Sequence, residues 1–120
     1  MTDGATGQEI LRGTLDLLIL RVLAAESMHG WGIAQRIQER SREAFRVGQG
    51  SLYPALQRLE QRGWVDSAWG MTAENRRAKY YRLTPPGRRA LGAEVASWRH
   101  YVEAVDLVLG TALRIEPCGG

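Results

Sequence analysis

Residues 48–64, GQGSLYPALQRLEQRGW, admit few structures. Leu52, Leu56 and Leu59 recur at spacings of four and three, which places them on one stripe of a helix. Pro54 has no N–H and clashes with the carbonyl four residues back, so it is tolerated best in a first turn. The spacing therefore predicts a helix that starts near Gly50 or Ser51, with Ser51 as its N-cap and Gly63 as its stop. With the leucines inward, Pro54, Gln57, Arg58 and Gln61 turn outward, and Ser51 and Tyr53 lie on the flanks. That outer face is polar and carries no acid.

Two helices precede this one. The first is predicted over about Leu11–Ala25, with Leu15, Leu18, Ile19, Val22 and Leu23 on one face; Leu17 and Leu20 widen it, as in a helix buried on more than one side. Its apolar stretch, Leu15–Ala25, is interrupted by Asp16 and Arg21 and falls short of the roughly 20 residues a membrane span needs. A break follows at Met28-His29-Gly30, and Ile33, Ala34 and Ile37 carry a second helix to about Ser41. Beyond Gly63 the texture changes. Trp64–Trp69 and Ala78–Leu83 are short and rich in aromatic or β-branched residues, as in the strands of a hairpin whose connection is Gly70–Arg77. Alternation puts Tyr81 and Leu83 toward the core and Tyr80 and Arg82 on the other face.

Thr84-Pro85-Pro86-Gly87 reads as the cap and first turn of a last helix. Within it Leu91, Val95, Trp98, Val102, Val105, Leu109 and Ala112 recur at spacings of 4, 3, 4, 3, 4 and 3, the seam of a helix that meets another helix. Three helices and a hairpin already make one small core, so the seam is assigned to a second copy of the chain. Its N-terminal half can also lie against the first helix. Gly92 works against this helix by about 1 kcal/mol relative to Ala. The expected fold is mainly α with a small β-hairpin, and a length of 120 residues suits a single domain.

Enzymatic function has little support. The chain has no nucleophile elbow, Gly-rich phosphate loop or closely spaced carboxylate pair. Cys118 is the only cysteine, and His29 and His100 stand alone, so neither a metal site nor a cofactor is expected. The N-terminus MTDGATGQE is polar and acidic rather than basic and has no cleavage signal, which predicts a cytoplasmic protein with no membrane partner.

The net charge of +3 conceals an asymmetry. From Asn75 to Ala93 there are six basic residues (Arg76, Arg77, Lys79, Arg82, Arg88 and Arg89) and no acid; from Glu94 onward four acids outweigh Arg99 and Arg114. A basic hairpin beside an acid-free helix face suits a DNA duplex, with cations on phosphates and the helix on base edges. Arginines on a hairpin also serve simply to solubilise it, and it is the helix-helix-helix-hairpin order that favours nucleic acid. Of the 16 basic residues 15 are Arg, a bias that base composition of the genome also produces.

These segments resemble the PadR family of bacterial transcriptional regulators, which are winged helix-turn-helix proteins. The resemblance rests on GTLDLLILRVLA, MHGWGIAQRI, VGQGSLYPALQRLEQRGWV and KYYRLTPPGRRAL, in that order over about residues 10–110, and the short end matches the compact branch with one C-terminal helix. Trp31 stands where many members have Tyr, and Trp64 where a smaller aliphatic is common. The small and polar ends, 1–9 and 115–120, are expected to be flexible, and the resemblance implies a winged helix-turn-helix DNA-binding domain (10–84) and a dimerisation helix (85–114). It implies a homodimer that binds a pseudo-palindromic operator on double-stranded DNA and usually represses transcription. Carried onto this chain, the reading face is Ser51, Tyr53, Pro54, Gln57 and Arg58, and Arg76, Arg77 and Lys79 of the wing meet phosphate or the minor groove. Tyr53 alternatively braces the domain. The dimer interface comprises Leu91, Val95, Trp98, Val102, Val105 and Leu109. Trp98 either fills that interface, the simpler reading, or pairs with its copy to line a slot for a small aromatic effector. A protein-protein adaptor is the rival function, although an adaptor has no need of an acid-free basic wing.

Overall fold

A computed structural model describes residues 13–110. The chain runs α1 (Thr14–Ala25), β1 (Met28–His29), α2 (Gly30–Arg40), α3 (Gln49–Gln61), β2 (Val65–Met71), β3 (Arg77–Leu83) and α4 (Pro85–Leu109). The expected start of α1 at Leu11, the seam residue Ala112 and both terminal segments lie outside the described residues. The fold class is the expected one: four helices around a small antiparallel sheet, with a long C-terminal helix.

One strand has no counterpart in the sequence reading. In place of the expected break, Met28 and His29 pair with Tyr81 and Tyr80 to give the sheet order β1-β3-β2. Two residues are too few to show a period of two. Their pairing ties the entrance of α2 to the hairpin, and the His29 side chain then caps α2 by accepting from Gly32 N–H at 3.0 Å. The hairpin strands are also longer than expected, because Val65–Met71 pairs along its whole length with Arg77–Leu83. Asn75 takes the left-handed conformation at the turn, where Thr72 N–H donates to the Arg76 carbonyl at 2.8 Å.

Helix α3 begins at Gln49, before the expected Gly50 or Ser51, and Ser51 is not its cap. The Gly48 carbonyl accepts from Ser51 N–H at 3.2 Å and Leu52 N–H at 3.0 Å, so the first turn closes without a side-chain cap. Pro54 is thus the sixth helical residue, and its missing N–H leaves the Gly50 carbonyl without the usual partner. Gly50 is exposed, so water can satisfy it.

The core lies where α1, α2, α3 and the sheet converge. Ile19, Leu20, Ile33, Leu52, Leu56, Leu59 and Val65 are almost fully buried, and Ala55 joins the α3 stripe. Each buried aliphatic side chain of this size contributes about 1.5–3 kcal/mol relative to an exposed one. Tyr81 and Leu83 face inward, as alternation predicts.

Helix α4 is anchored at its first turn. Thr84 Oγ1 accepts from Gly87 N–H at 3.0 Å and donates to the Gly63 carbonyl at 2.6 Å, while Thr84 N–H donates to the Trp64 carbonyl at 3.0 Å. Gly87 is the helix's one buried residue, pressed against that Trp64 carbonyl and the Leu83 side chain. Leu91 still touches the core, the turns that follow lie along α1, and the last turn, with Leu107, Val108 and Leu109 exposed, runs out past the domain. The radius of gyration of 17.0 Å, against about 13 Å for a compact chain of this size, reflects that projection.

Candidate nucleic-acid interface

The face of α3 opposite the leucines is built as the stripe requires. Leu52, Ala55, Leu56 and Leu59 are buried, and Ser51, Tyr53, Pro54, Gln57, Arg58 and Gln61 are exposed. Two of these side chains have intramolecular duties. Arg58 Nη2 donates to Asp16 Oδ1 of α1 at 2.9 Å, with the carboxylate largely covered and the guanidinium half exposed. The Tyr53 ring lies across the entrance of α2, where a side chain at Gly30 would stand 2.8 Å from the ring's Cζ. Tyr53 is nevertheless 42% exposed, so it braces α2 and still presents an edge outward.

The wing stands beside this face. Arg76, Arg77 and Lys79 are all exposed, and among the described residues none of them lies within ion-pair distance of a carboxylate. Residues opposite one another on an antiparallel pair share a face, so Trp69 with Lys79 and Met71 with Arg77 continue the side on which Val65, Leu83 and Tyr81 are buried. Past the core that side opens onto the entrance of α2 and the start of α3. Arg77 lies over the Trp69 ring with its guanidinium carbon 4.7 Å from the centroid. The opposite face holds Arg82 in a two-pronged pair with Asp66, at 2.7 and 3.3 Å, and that hydrogen bond together with the nearby charge raises the guanidinium's pKa. Arg82 is therefore occupied on the far side of the wing. Burial, followed by the Glu60 carboxylate and Tyr53, pushes the Tyr81 phenol up beneath the sheet.

An outward polar helix beside an unneutralised basic hairpin is the arrangement of a winged-helix DNA reader. The profile of the transcriptional regulator PadR-like family matches residues 19–93, which covers the second half of α1, α2, α3, the wing and the anchor of α4. The chain belongs to the PadR family of transcriptional regulators.

It is 40% identical over 84 residues to a transcriptional regulator of Mycobacterium tuberculosis, covering 70% of this chain and 75% of that protein. A solved transcriptional regulator from Clostridium thermocellum superposes with a TM-score of 0.76 at 27% identity, covering 83% of this chain and 97% of the other. A PadR family transcription regulator from Clostridium difficile gives a TM-score of 0.70 at 31% identity, over 82% and 100% of the two chains. The family consists of transcriptional regulators, not enzymes, and its function implies regulation through DNA. No helix among the described residues is long and apolar enough to cross a membrane.

In this PadR-family chain the seam residues divide. Leu91, Val95, Val102 and Val105 are half-buried, whereas Trp98 is 36% and Leu109 62% exposed. Trp98 and Tyr101 have ring centroids 5.9 Å apart, and both line a groove of about 410 Å³ with Thr14 and Leu17 of α1. The groove lies within one chain, between α1 and α4. Sequence reasoning missed the aromatic residues around the wing, Trp31 and Trp69 foremost. The signal for Trp69 was present: alternation from Val65 through Ser67 puts it on the core side of β2.

Proposed function

We propose that the protein is a homodimeric repressor that reads a pseudo-palindromic operator with α3 and grips the flanking backbone with its wing. The observation that carries this reading is the acid-free outer face of α3 beside the exposed, unneutralised Arg76, Arg77 and Lys79. Ser51, Tyr53, Pro54, Gln57 and Arg58 form the reading surface in this scheme, with Arg58 partly held back by Asp16. Residues 10–84 act as the DNA-binding unit and 85–114 as the dimerisation helix. Leu91, Val95, Trp98, Val102, Val105 and Leu109 meet their copies along α4, which is supported by the apolar residues that α4 carries away from the core. Two-fold symmetry then sets the reading helices one DNA turn apart. Release by a small aromatic effector at Trp98 is the proposed control, and the cytoplasm the proposed compartment.

A salt titration of binding to the DNA upstream of the protein's own gene tests the scheme. Affinity should fall steeply with salt, and Arg76→Ala with Arg77→Ala should reduce the logarithmic slope by about 2. An affinity indifferent to salt would point instead to the adaptor role. Light scattering over a dilution series should show a dimer; a monomer throughout removes α4 as the interface.

A further inference from the structure

A second binding feature lies between the wing and the entrance of α2. There a cleft of about 860 Å³ is walled by Trp31, Trp69, Tyr53 and His29 and rimmed by cations of the wing. Trp31 is 67% and Trp69 61% exposed. Backbone phosphates of a duplex call for cations and hydrogen-bond donors, and the cations beside the cleft already meet that need, so two largely exposed indoles lining one concavity call for another occupant. The size is that of a small-molecule site.

The charges narrow the class. Arg76, Arg77 and Lys79 face a single acid, Glu74, in the lining. This excess of two positive charges suits a phosphate, which carries about −1.5 to −2, better than a singly charged carboxylate. Arginine forks match phosphate oxygens, and the stacking of Arg77 on Trp69 holds one fork beside an aromatic wall. Indole and phenol faces next to phosphate-binding cations are the elements with which proteins hold unpaired nucleotides. Glu74 supplies an acceptor for a ribose hydroxyl or an exocyclic amine.

We propose that this cleft binds a nucleotide, its base stacked on Trp31 and Trp69 and its phosphate held by Arg76, Arg77 and Lys79. Because the same cations serve the wing, occupancy excludes duplex DNA; this second statement rests on the function proposed above, and the first does not. The shared chemistry has two sources, a free nucleotide or an unpaired nucleotide within a strand.

Calorimetry on the full-length protein without duplex DNA tests the site, with GMP and GTP as free nucleotides, a short oligothymidylate as a strand, and guanosine and ribose 5-phosphate as the separated halves. A nucleotide or the oligothymidylate should bind at least about tenfold more tightly than either half. Trp31→Ala and Trp69→Ala should each weaken binding about threefold to tenfold, with Trp31→Phe restoring most of it. Binding of GMP or GTP identifies a free effector, and binding of the oligothymidylate alone identifies a strand; both support the site. Equal affinity for ribose 5-phosphate, indifference to both tryptophan substitutions, loss only in Trp98→Phe, or no binding at millimolar concentration overturns it. If the tryptophan variants weaken duplex binding while no nucleotide binds, the indoles belong to the duplex contact and the proposal fails. If a nucleotide binds in the cleft and duplex affinity is unchanged at saturation, the wing's role on DNA fails and the nucleotide site stands.

Discussion

Replacing Gly87 and, separately, Gly92 by alanine makes one chemical change twice in the same helix, with opposite expected signs. A methyl group at Gly87 would be driven into the Trp64 carbonyl oxygen and stand 2.9 Å from Leu83 Cδ1. The first of these is backbone, already fixed by the bond from Thr84 N–H at 3.0 Å, so it cannot rotate away. Overpacking of this kind costs about 1–3 kcal/mol, and the lost freedom of the unfolded glycine returns at most about 1 kcal/mol. The net expectation is a loss of roughly 1–2 kcal/mol. At Gly92, in the exposed helix interior, a new Cβ meets nothing within 4 Å, and alanine should stabilise by about 1 kcal/mol. The variants should thus differ by roughly 2–3 kcal/mol, or about 10–20 °C in Tm for a domain of this size. Urea unfolding followed by far-UV circular dichroism measures the difference, at one protein concentration because a dimer's stability depends on it. Equal denaturant slopes are needed for the comparison. Gly87→Ala at parental stability would refute the anchoring of α4 on the Trp64 carbonyl. A destabilised Gly92→Ala would show that something packs against that surface in solution.

Three further outcomes are expected. Asp16→Asn and Arg58→Gln, combined in a double-mutant cycle on urea stability, should couple by no more than about 1 kcal/mol, because the guanidinium is half exposed; a larger value would mean that the pair is a main tie between α1 and α3. Gln57→Ala should change the preference at one operator position by about 1–3 kcal/mol in competition with singly substituted sites, and an even loss on all sequences would remove it from the reading face. In an ultraviolet titration the Tyr81 phenol should ionise later than an ordinary tyrosine, since burial first and then Glu60 and Tyr53 raise its pKa. The folded state then holds this proton more tightly than the unfolded chain, so the stability it confers is intact below the unfolded value of about 10 and declines as pH rises through the folded one. Tyr81→Phe should flatten that alkaline decline, and an unaltered slope would assign it to other groups.

Legibility varied with the range of the interaction. The α3 stripe needed only a period: Leu52, Leu56 and Leu59 lie inward and Gln57 outward because a helix repeats every 3.6 residues. The start of α3 was less legible, because a backbone carbonyl closed the turn where a serine cap was expected. Strand β1 left no pattern, since its pairing partner lies some fifty residues further along the chain. Arg58 reads from sequence as a free cation on the outer face, and its engagement by Asp16 depends on how α1 crosses α3.

The sequence by itself determined the order of the four helices and the hairpin, the buried faces of α1, α2 and α3, the basic wing and the family, because periodicity and charge runs are local properties of the chain. Tertiary structure alone decided which cations are engaged, leaving Arg77 on Trp69 while Arg82 pairs with Asp66 on the opposite face. It also brought Trp31 and Trp69, far apart in the chain, to one cleft. Both follow from the antiparallel register of β2 and β3 and from the two-residue strand that ties α2 to them. Those pairings join distant parts of the chain, and their geometry exists only once the core has closed.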